Sequence, residues 1–213
     1  MNSRSTVVSM NVALVGASGK IGTKITNELL DRGHKVTAIA RHPENIPARD
    51  GLKAVAGDLM DPAALAAILK GHDAVISAAP FIANESEKLF AAVRDSGVKR
   101  YLMVGGAASL INDKGVKVWD TLPELPDFVS ANIQEGMRAL ELLKKDGSLD
   151  WTFFSPAVTI GPGERTGKFR LGKDNVVAND AGESKISYDD YAIAMVDELE
   201  QGNNIRRRFT VGY

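Results

Sequence analysis

The sequence predicts an α/β chain: a doubly wound parallel sheet with a small C-terminal extension on its substrate side. Three observations carry that expectation. Short apolar or β-branched runs alternate with helical stretches from residue 11 to residue 104 without interruption. The first run, NVALV at 11–15, leads into glycines at three-residue spacing and then into a helical pattern. The composition, 44% hydrophobic and 25% charged over 213 residues, is that of an ordinary globular chain.

The stretch NVALVGASGKIGTKITNELLD organises the rest. Gly16, Gly19 and Gly22 follow the strand, and Ile21, Ile25 and Leu29 recur at helical intervals. A strand, a glycine turn and a helix N-terminus make a phosphate site. Gly16 permits the tight turn, Gly19 lets the backbone approach a pyrophosphate, and Gly22 lets the helix pack close to the strand. The unpaired N–H groups and positive end of the helix then face the phosphates. A glycine triplet alone also fits a plain turn; its position between strand and helix is what points to a nucleotide.

Arg32-Gly33-His34 stops the first helix, and KVTAIA at 35–40 is the second strand, ended by Arg41-His42-Pro43. In a dinucleotide fold this strand end lies beside the adenosine ribose, where an acid would favour NAD. Here stands Arg41, which suits a 2′-phosphate and leans the expectation to NADP(H) with NAD(H) possible; the alternative is a solvated loop arginine. LKAVA at 52–56 is a third strand. Asp61 caps a helix with Pro62 in its first turn, closed at Gly71. AVIS at 74–77 is a fourth strand, followed by the small residues Ala78-Ala79-Pro80. Asn84 and Glu87 have capping-box spacing for a helix to Ser96, and RYLMV at 100–104 is a fifth strand before Gly105-Gly106-Ala107-Ala108-Ser109.

Order loosens over 110–129, a length of loop that usually serves function. Periodicity returns for a helix over 130–145, then a strand DWTFFS at 150–155 ended by Pro156. Short extended pieces are expected near 169–171 and 176–178, a helix capped by Ser187 through Glu200, and a last strand at 208–211. The expected organisation is one domain over 11–213 behind a flexible leader at 1–10.

Composition narrows the function. A net charge of −1 offers no general field for nucleic acid or anionic lipid. No apolar run approaches the roughly 20 residues of a membrane helix, and the first residues lack a secretory core. The absence of cysteine excludes disulfides, thiol nucleophiles and thiolate-bound metals. His34, His42 and His72 lack ligand spacing, so no metal site is expected. Arg206-Arg207-Arg208 reads as a solvated face rather than a phosphate site, and Asp189-Asp190 as helix-start acids serving the dipole. The sequence therefore predicts a cytoplasmic protein with a small-molecule partner, no nucleic acid and no membrane.

GASGKIG, RHP, GDLMDP, SAAP, GGAASL, DWTFFSPAVTIGPGERTG and ISYDDYA occur in an order that resembles the atypical short-chain dehydrogenase/reductase superfamily. Within it, the chain is similar to single-domain NAD(P)H-binding proteins related to NmrA and to the biliverdin/flavin reductases, over nearly its whole length. The resemblance implies a Rossmann-like sheet with cofactor at the carboxyl ends of its strands. It places Gly16, Ser18, Gly19, Lys20, Ile21 and Gly22 around the pyrophosphate and Arg41 at the adenosine phosphate. Asp58 and Leu59 would meet the adenine edge, Ala78, Ala79 and Pro80 the inner ribose and nicotinamide, and Ser155, Pro156 and Ala157 the nicotinamide.

One departure bears on mechanism. Standard members of the superfamily use a Tyr-x-x-x-Lys pair, and no tyrosine here has lysine four positions later: Tyr101 has Gly105, Tyr188 has Ala192 and Tyr191 has Met195. The expected helix carries Ala131 and Glu135 instead. Ser109 remains as a residue to orient substrate or water, with a plain loop serine as the alternative. A reductase manages without the tyrosine when its acceptor is a flavin or quinone, whose reduced anion is delocalised. Phe81, Trp119, Phe154 and Phe169 are candidate pocket walls, with Arg165 for an anionic group; for Trp119 and Phe169 the core is the alternative. A non-catalytic NADP(H) sensor of the NmrA type, acting through a protein partner, and a sugar-nucleotide epimerase are the competing readings.

Overall fold

The computed structural model describes residues 8–82 and 84–213. Its centre is built by period-two burial. In β1 (Asn11–Val15), Val12 and Leu14 enter one apolar cluster while Ala13 and Val15 enter another, and all four are buried. A strand buried on both faces belongs in a parallel sheet with helices on each side. The chain continues through α1 (Lys20–Asp31), β2 (Lys35–Ala40), β3 (Leu52–Ala56), α2 (Pro62–Leu69), β4 (Ala74–Ser77), α3 (Ser86–Ser96) and β5 (Arg100–Val104). Then follow α4 (Asp127–Lys145), β6 (Asp150–Ser155), β7 (Thr159–Gly161), β8 (Arg170–Gly172), β9 (Lys185–Ser187), α5 (Tyr188–Gln201) and β10 (Arg207–Gly212).

The main sheet has the order β3-β2-β1-β4-β5-β6-β10-β8. Every pairing from β3 to β10 is parallel, and β8 closes the edge antiparallel to β10. Ile25 and Leu29 of α1 and Tyr191, Met195 and Leu199 of α5 cover one face. Leu65 and Leu69 of α2, Phe90 of α3 and Leu140 of α4 cover the other. This is the Rossmann-like architecture that the alternating pattern predicts. Strand order reverses between β1 and β4, and open α/β sheets bind ligands at such a switch point.

Two helix starts follow from local residues. The Asp61 carboxylate accepts from the Ala64 N–H at 3.0 Å, with Pro62 in the first turn, and the Ser187 hydroxyl accepts from the Asp190 N–H at 3.0 Å. A third does not. Asn84 sits at φ +64°, α3 begins at Ser86, and its N-terminus is capped from α4, where the buried Glu135 accepts the Ser86 N–H at 3.0 Å. The capping box expected from Asn84 and Glu87 fails because the acceptor comes from 49 residues away. Helix α4 starts at Asp127, a turn before the expected position, directly after the extended Pro126.

The leader is a partial correction. Ser9 Oγ donates to the Gly33 carbonyl at 2.8 Å, the Met10 N–H donates to His34 Nδ1 at 3.1 Å, and Met10 packs on the core. Ser9 and Met10 are therefore docked, Val8 is exposed, and 1–7 lie outside the described residues. The C-terminal extension also differs. The expected strand at 176–178 is replaced by a single bridge from Asn175 to Ile111, and β7 pairs with β9 in a separate parallel ribbon.

Candidate functional site

The glycine turn is held by packing as well as by conformation. Gly16 has φ +82°, and a Cβ there would lie 2.6 Å from the Ala79 nitrogen, so the loops after β1 and β4 touch at the switch point. A Cβ on Gly22 would lie 2.2 Å from the Gly16 carbonyl oxygen. Gly19 differs: its Cβ would meet nothing closer than 3.4 Å. That space opens outward, and leaving it empty serves a group arriving from outside. Helix α1 has neither a side-chain cap nor an acid in its first turn. Its leading N–H groups thus remain available to an anion.

Ser18, Gly19 and Lys20 are exposed and line a groove of about 550 Å³ with Thr23, Lys24, Pro162, Gly163, Tyr188 and Asp189. Ile21 packs on the core, so only its backbone faces the turn. Arg41 stands exposed just past β2, with no ion pair or hydrogen bond to any described residue. After β3 the Asp58 carboxylate accepts from the Met60 N–H at 2.9 Å, making a turn that sets Leu59 against the α2–α3 side. Ala78, Ala79 and Pro80 follow β4. Four successive strand ends thus carry the predicted cofactor residues along one edge of the sheet, and the side-chain-free approach at Gly19 suits a pyrophosphate.

Beside this edge lies a cavity of about 470 Å³. Pro80 and Phe81 after β4, Gly106 to Ser109 after β5, and Phe128, Val129, Asn132, Ile133, Gly136 and Met137 of α4 form most of its wall, with Val118, Leu122 and Val158. Among the described residues Ser109 and Asn132 bring its polar side chains. Phe81, expected as a pocket wall, and Ser109, expected to orient substrate or water, both line it. On α4 the cavity-facing pair is Asn132 and Gly136, one position beyond the expected Ala131 and Glu135, and it too lacks tyrosine and lysine. No tyrosine lines the cavity. Burial raises the pKa of Tyr101 and Tyr191, which donate or share their protons within the core, with Phe154 and Ser77 respectively for Tyr191 and Tyr101.

Three expected walls, and the arginine expected beside them, are elsewhere. Phe154 is fully buried, stacked between Tyr191 and Phe209 at ring distances of 4.2 and 4.0 Å, and is core. Phe169 packs against the same cluster. Arg165 pairs with Glu28 on α1 at 2.5 Å, away from the cavity. Trp119 is half-buried, its backbone N–H donating to the Ala108 carbonyl at 2.8 Å, while its neighbour Val118 takes the wall position. Alternation along a strand fixes Phe154, but nothing local distinguishes a core-facing aromatic from a pocket-facing one. Ser155, Pro156 and Ala157 end β6 as expected and are buried; Val158 is the first residue there to reach the cavity.

Two charged residues read as surface groups are internal. The Asp190 carboxylate accepts from the Thr166 N–H and hydroxyl, the Gly167 N–H and the Tyr213 hydroxyl, fastening the extension to α5. Burial works against its charge, yet these donors hold its pKa below the ordinary value. Arg208 has a side chain only 6% exposed. Its guanidinium meets Asp174 at 2.7 Å and donates through Nη1 to Ser109 Oγ at 3.2 Å. The run Arg206-Arg207-Arg208 is therefore not one solvated face, and strand alternation was the signal that separates its members.

This turn, this sheet order and this edge define a dinucleotide-binding protein. The chain belongs to the NAD(P)H-binding family, whose sequence profile matches residues 16–202. Solved structures agree over almost the whole length. A Bacteroides thetaiotaomicron protein provisionally described as an epimerase is 40% identical, with a TM-score of 0.90 over 97% of this chain and 98% of that one. A Burkholderia pseudomallei protein provisionally described as exported is 42% identical, with a TM-score of 0.84 over 96% and 100%. A Streptococcus pneumoniae protein provisionally described as an NADH-flavin reductase is 34% identical, with a TM-score of 0.78 over 96% and 99%. Among the described residues no helix is long and apolar enough to cross a membrane.

Proposed function

We propose that this protein is a reductase that passes a hydride from NADPH to a flat conjugated acceptor of the flavin or quinone kind. The observation that carries this reading is the apolar cavity beside the glycine edge, in which the described residues bring Ser109 and Asn132 as polar side chains and no tyrosine. Bound at the edge, the reduced nicotinamide supplies the hydride. The chain's own residues hold and orient. Backbone N–H groups of the glycine turn take the pyrophosphate, and the unpaired Arg41 takes the 2′-phosphate, favouring NADPH over NADH. Ala78, Ala79 and Pro80 bound the space for the nicotinamide, and the buried Ser155 to Ala157 stand behind Val158.

Phe81, Ile133 and Met137 press an acceptor ring flat and exclude water, which is catalysis by proximity. Ser109 donates a hydrogen bond to an oxygen of the acceptor as charge develops there, and solvent returns the proton afterwards. An epimerase needs an acid-base group at the reacting carbon, and the cavity offers no residue for it, so the description of the Bacteroides neighbour is not carried over. We place the protein in the cytosol, where NADPH is regenerated; cell fractionation tests this against the export assigned to the Burkholderia neighbour.

The test is nucleotide titration together with optical measurement of NADPH and NADH oxidation, using flavin, quinone and biliverdin-like acceptors. NADPH-preferring turnover with one acceptor class supports the proposal. Tight nucleotide binding with no turnover of any acceptor overturns it in favour of a sensor of NADP(H) acting through a protein partner.

A further inference from the structure

Arg208 is the most unexpected group in the molecule. It lies on β10, the strand inserted between β6 and the antiparallel edge, and its side chain is almost wholly buried. Its carboxylate partner among the described residues, Asp174, has a side chain 67% exposed, with one oxygen accepting from Nε at 2.8 Å and meeting Nη2 at 2.7 Å. An enclosed cation tied to one solvated acid is an arrangement that stability alone does not favour. What it gains is position. With Nε and Nη2 occupied by Asp174, Nη1 is turned inward to two serine oxygens, Ser109 Oγ at 3.2 Å and Ser155 Oγ at 3.5 Å.

Guanidinium only donates, so Ser109 Oγ must accept. A serine hydroxyl that accepts from arginine keeps its own proton for a different partner. Among the described residues no acceptor takes that proton. Ser109 lines the cavity, so the open direction for the O–H is the cavity itself.

We infer that Arg208 is a positioning residue: it fixes the Ser109 hydroxyl as a hydrogen-bond donor into the cavity and selects acceptors that carry an oxygen beside the atom receiving the hydride. This inference rests on the reductase reading and names its substrate class more closely: conjugated carbonyl compounds, quinones and flavins, in which the added hydride leaves negative charge on a carbonyl oxygen. That oxygen accepts from Ser109, the positive charge of Arg208 stands one bond further back, and water later protonates the anion. The hydride and its electron pair come from NADPH, which leaves as NADP⁺, so the exchange balances without another reductant. Conjugated acceptors lacking such an oxygen, such as azo dyes, gain nothing from the pair.

The test is a double-mutant cycle on Ser109→Ala and Arg208→Gln, with NADPH as donor and a naphthoquinone, FMN and an azo dye as acceptors. Each single variant should lower kcat with the naphthoquinone by about tenfold or more. The double variant should be no slower than Ser109→Ala, because the two residues act as one unit. The affinity for NADPH should stay unchanged, the naphthoquinone rate should fall several times more than the azo-dye rate, and Arg208→Lys should restore part of the naphthoquinone rate. Asp174→Asn, on the exposed partner, gives the same cycle if Arg208→Gln does not fold. Additive losses, or losses equal for naphthoquinone and azo dye, would overturn the role of Arg208 and leave the reductase reading standing. No turnover of any acceptor by the unaltered protein would overturn both.

Discussion

The two halves of the site are made of different material. The nucleotide side is backbone: glycines at fixed spacing, a helix start without a cap, and small residues after β4. The side proposed for the acceptor is side chains: rings, aliphatic groups, one serine and one asparagine, gathered from the ends of β4 and β5, from α4 and from the loop at 110–126. A backbone site tolerates almost no added volume, since a single methyl group at Gly22 meets the Gly16 oxygen at 2.2 Å. A side-chain site changes its occupant by changing a few residues while the sheet stays as it is. One scaffold can thus keep its cofactor and alter its acceptor.

The largest expected effect lies on the backbone side. Gly22→Val should abolish measurable NADPH binding and lower the Tm, read by titration and thermal melting together; near-native affinity would mean the turn does not hold the nucleotide. Phe154→Ala comes next. Removing a ring stacked between Tyr191 and Phe209 should cost about 3–5 kcal/mol of stability in denaturant titration. If the loss appeared instead as a raised KM for acceptor in a stable protein, Phe154 would belong to the acceptor side after all.

Arg41→Ala should weaken NADPH by about tenfold, equivalent to roughly 1.4 kcal/mol, and leave NADH unchanged. An unchanged ratio of the two affinities would remove the 2′-phosphate from the comparison. The smallest effect sharpens it from outside. Arg165→Ala removes a half-exposed guanidinium from the buried Glu28, which keeps its pair with Arg32, and should cost about 1 kcal/mol, with no change in acceptor kinetics. A raised KM there would restore Arg165 to the site.

A pH dependence separates the extension from the cavity. The Asp190 carboxyl is held below its ordinary pKa in the folded chain. It therefore contributes stability above the unfolded carboxylate pKa, and that contribution is lost as pH falls through the folded value. Asp190→Asn should flatten the acid limb of stability measured by chemical denaturation, without shifting the pH profile of NADPH binding.

The same division governs what could be read in the residues themselves. Gly16, Gly19 and Gly22 speak through spacing, and alternation along β1 speaks through period, so strand order, turn and cofactor edge follow from local pattern. Asp61 and Ser187 announce their helices because each caps its own chain. Glu135 caps a helix 49 residues away, and no window of sequence contains both partners. Phe81 and Phe154 are the same residue type beside strand ends, yet one lines the cavity and the other is core. Only the register of β6 against β5 and β10 separates them. Arg208 was hidden in a run of three arginines, of which Arg207 and Arg208 open β10 and the latter alone turns its side chain inward.

The most direct measurement concerns whether the cavity takes the acceptor while the glycine edge keeps the cofactor. Val129→Trp places an indole across the cavity from the first turns of α4, away from the glycine turn. NADPH affinity and quinone kcat/KM would be determined on the same preparation. We predict unchanged NADPH affinity and kcat/KM lowered by about tenfold or more, as expected when the acceptor can no longer lie against the nicotinamide. Full turnover in this variant would contradict the assignment of the cavity, whatever the nucleotide did.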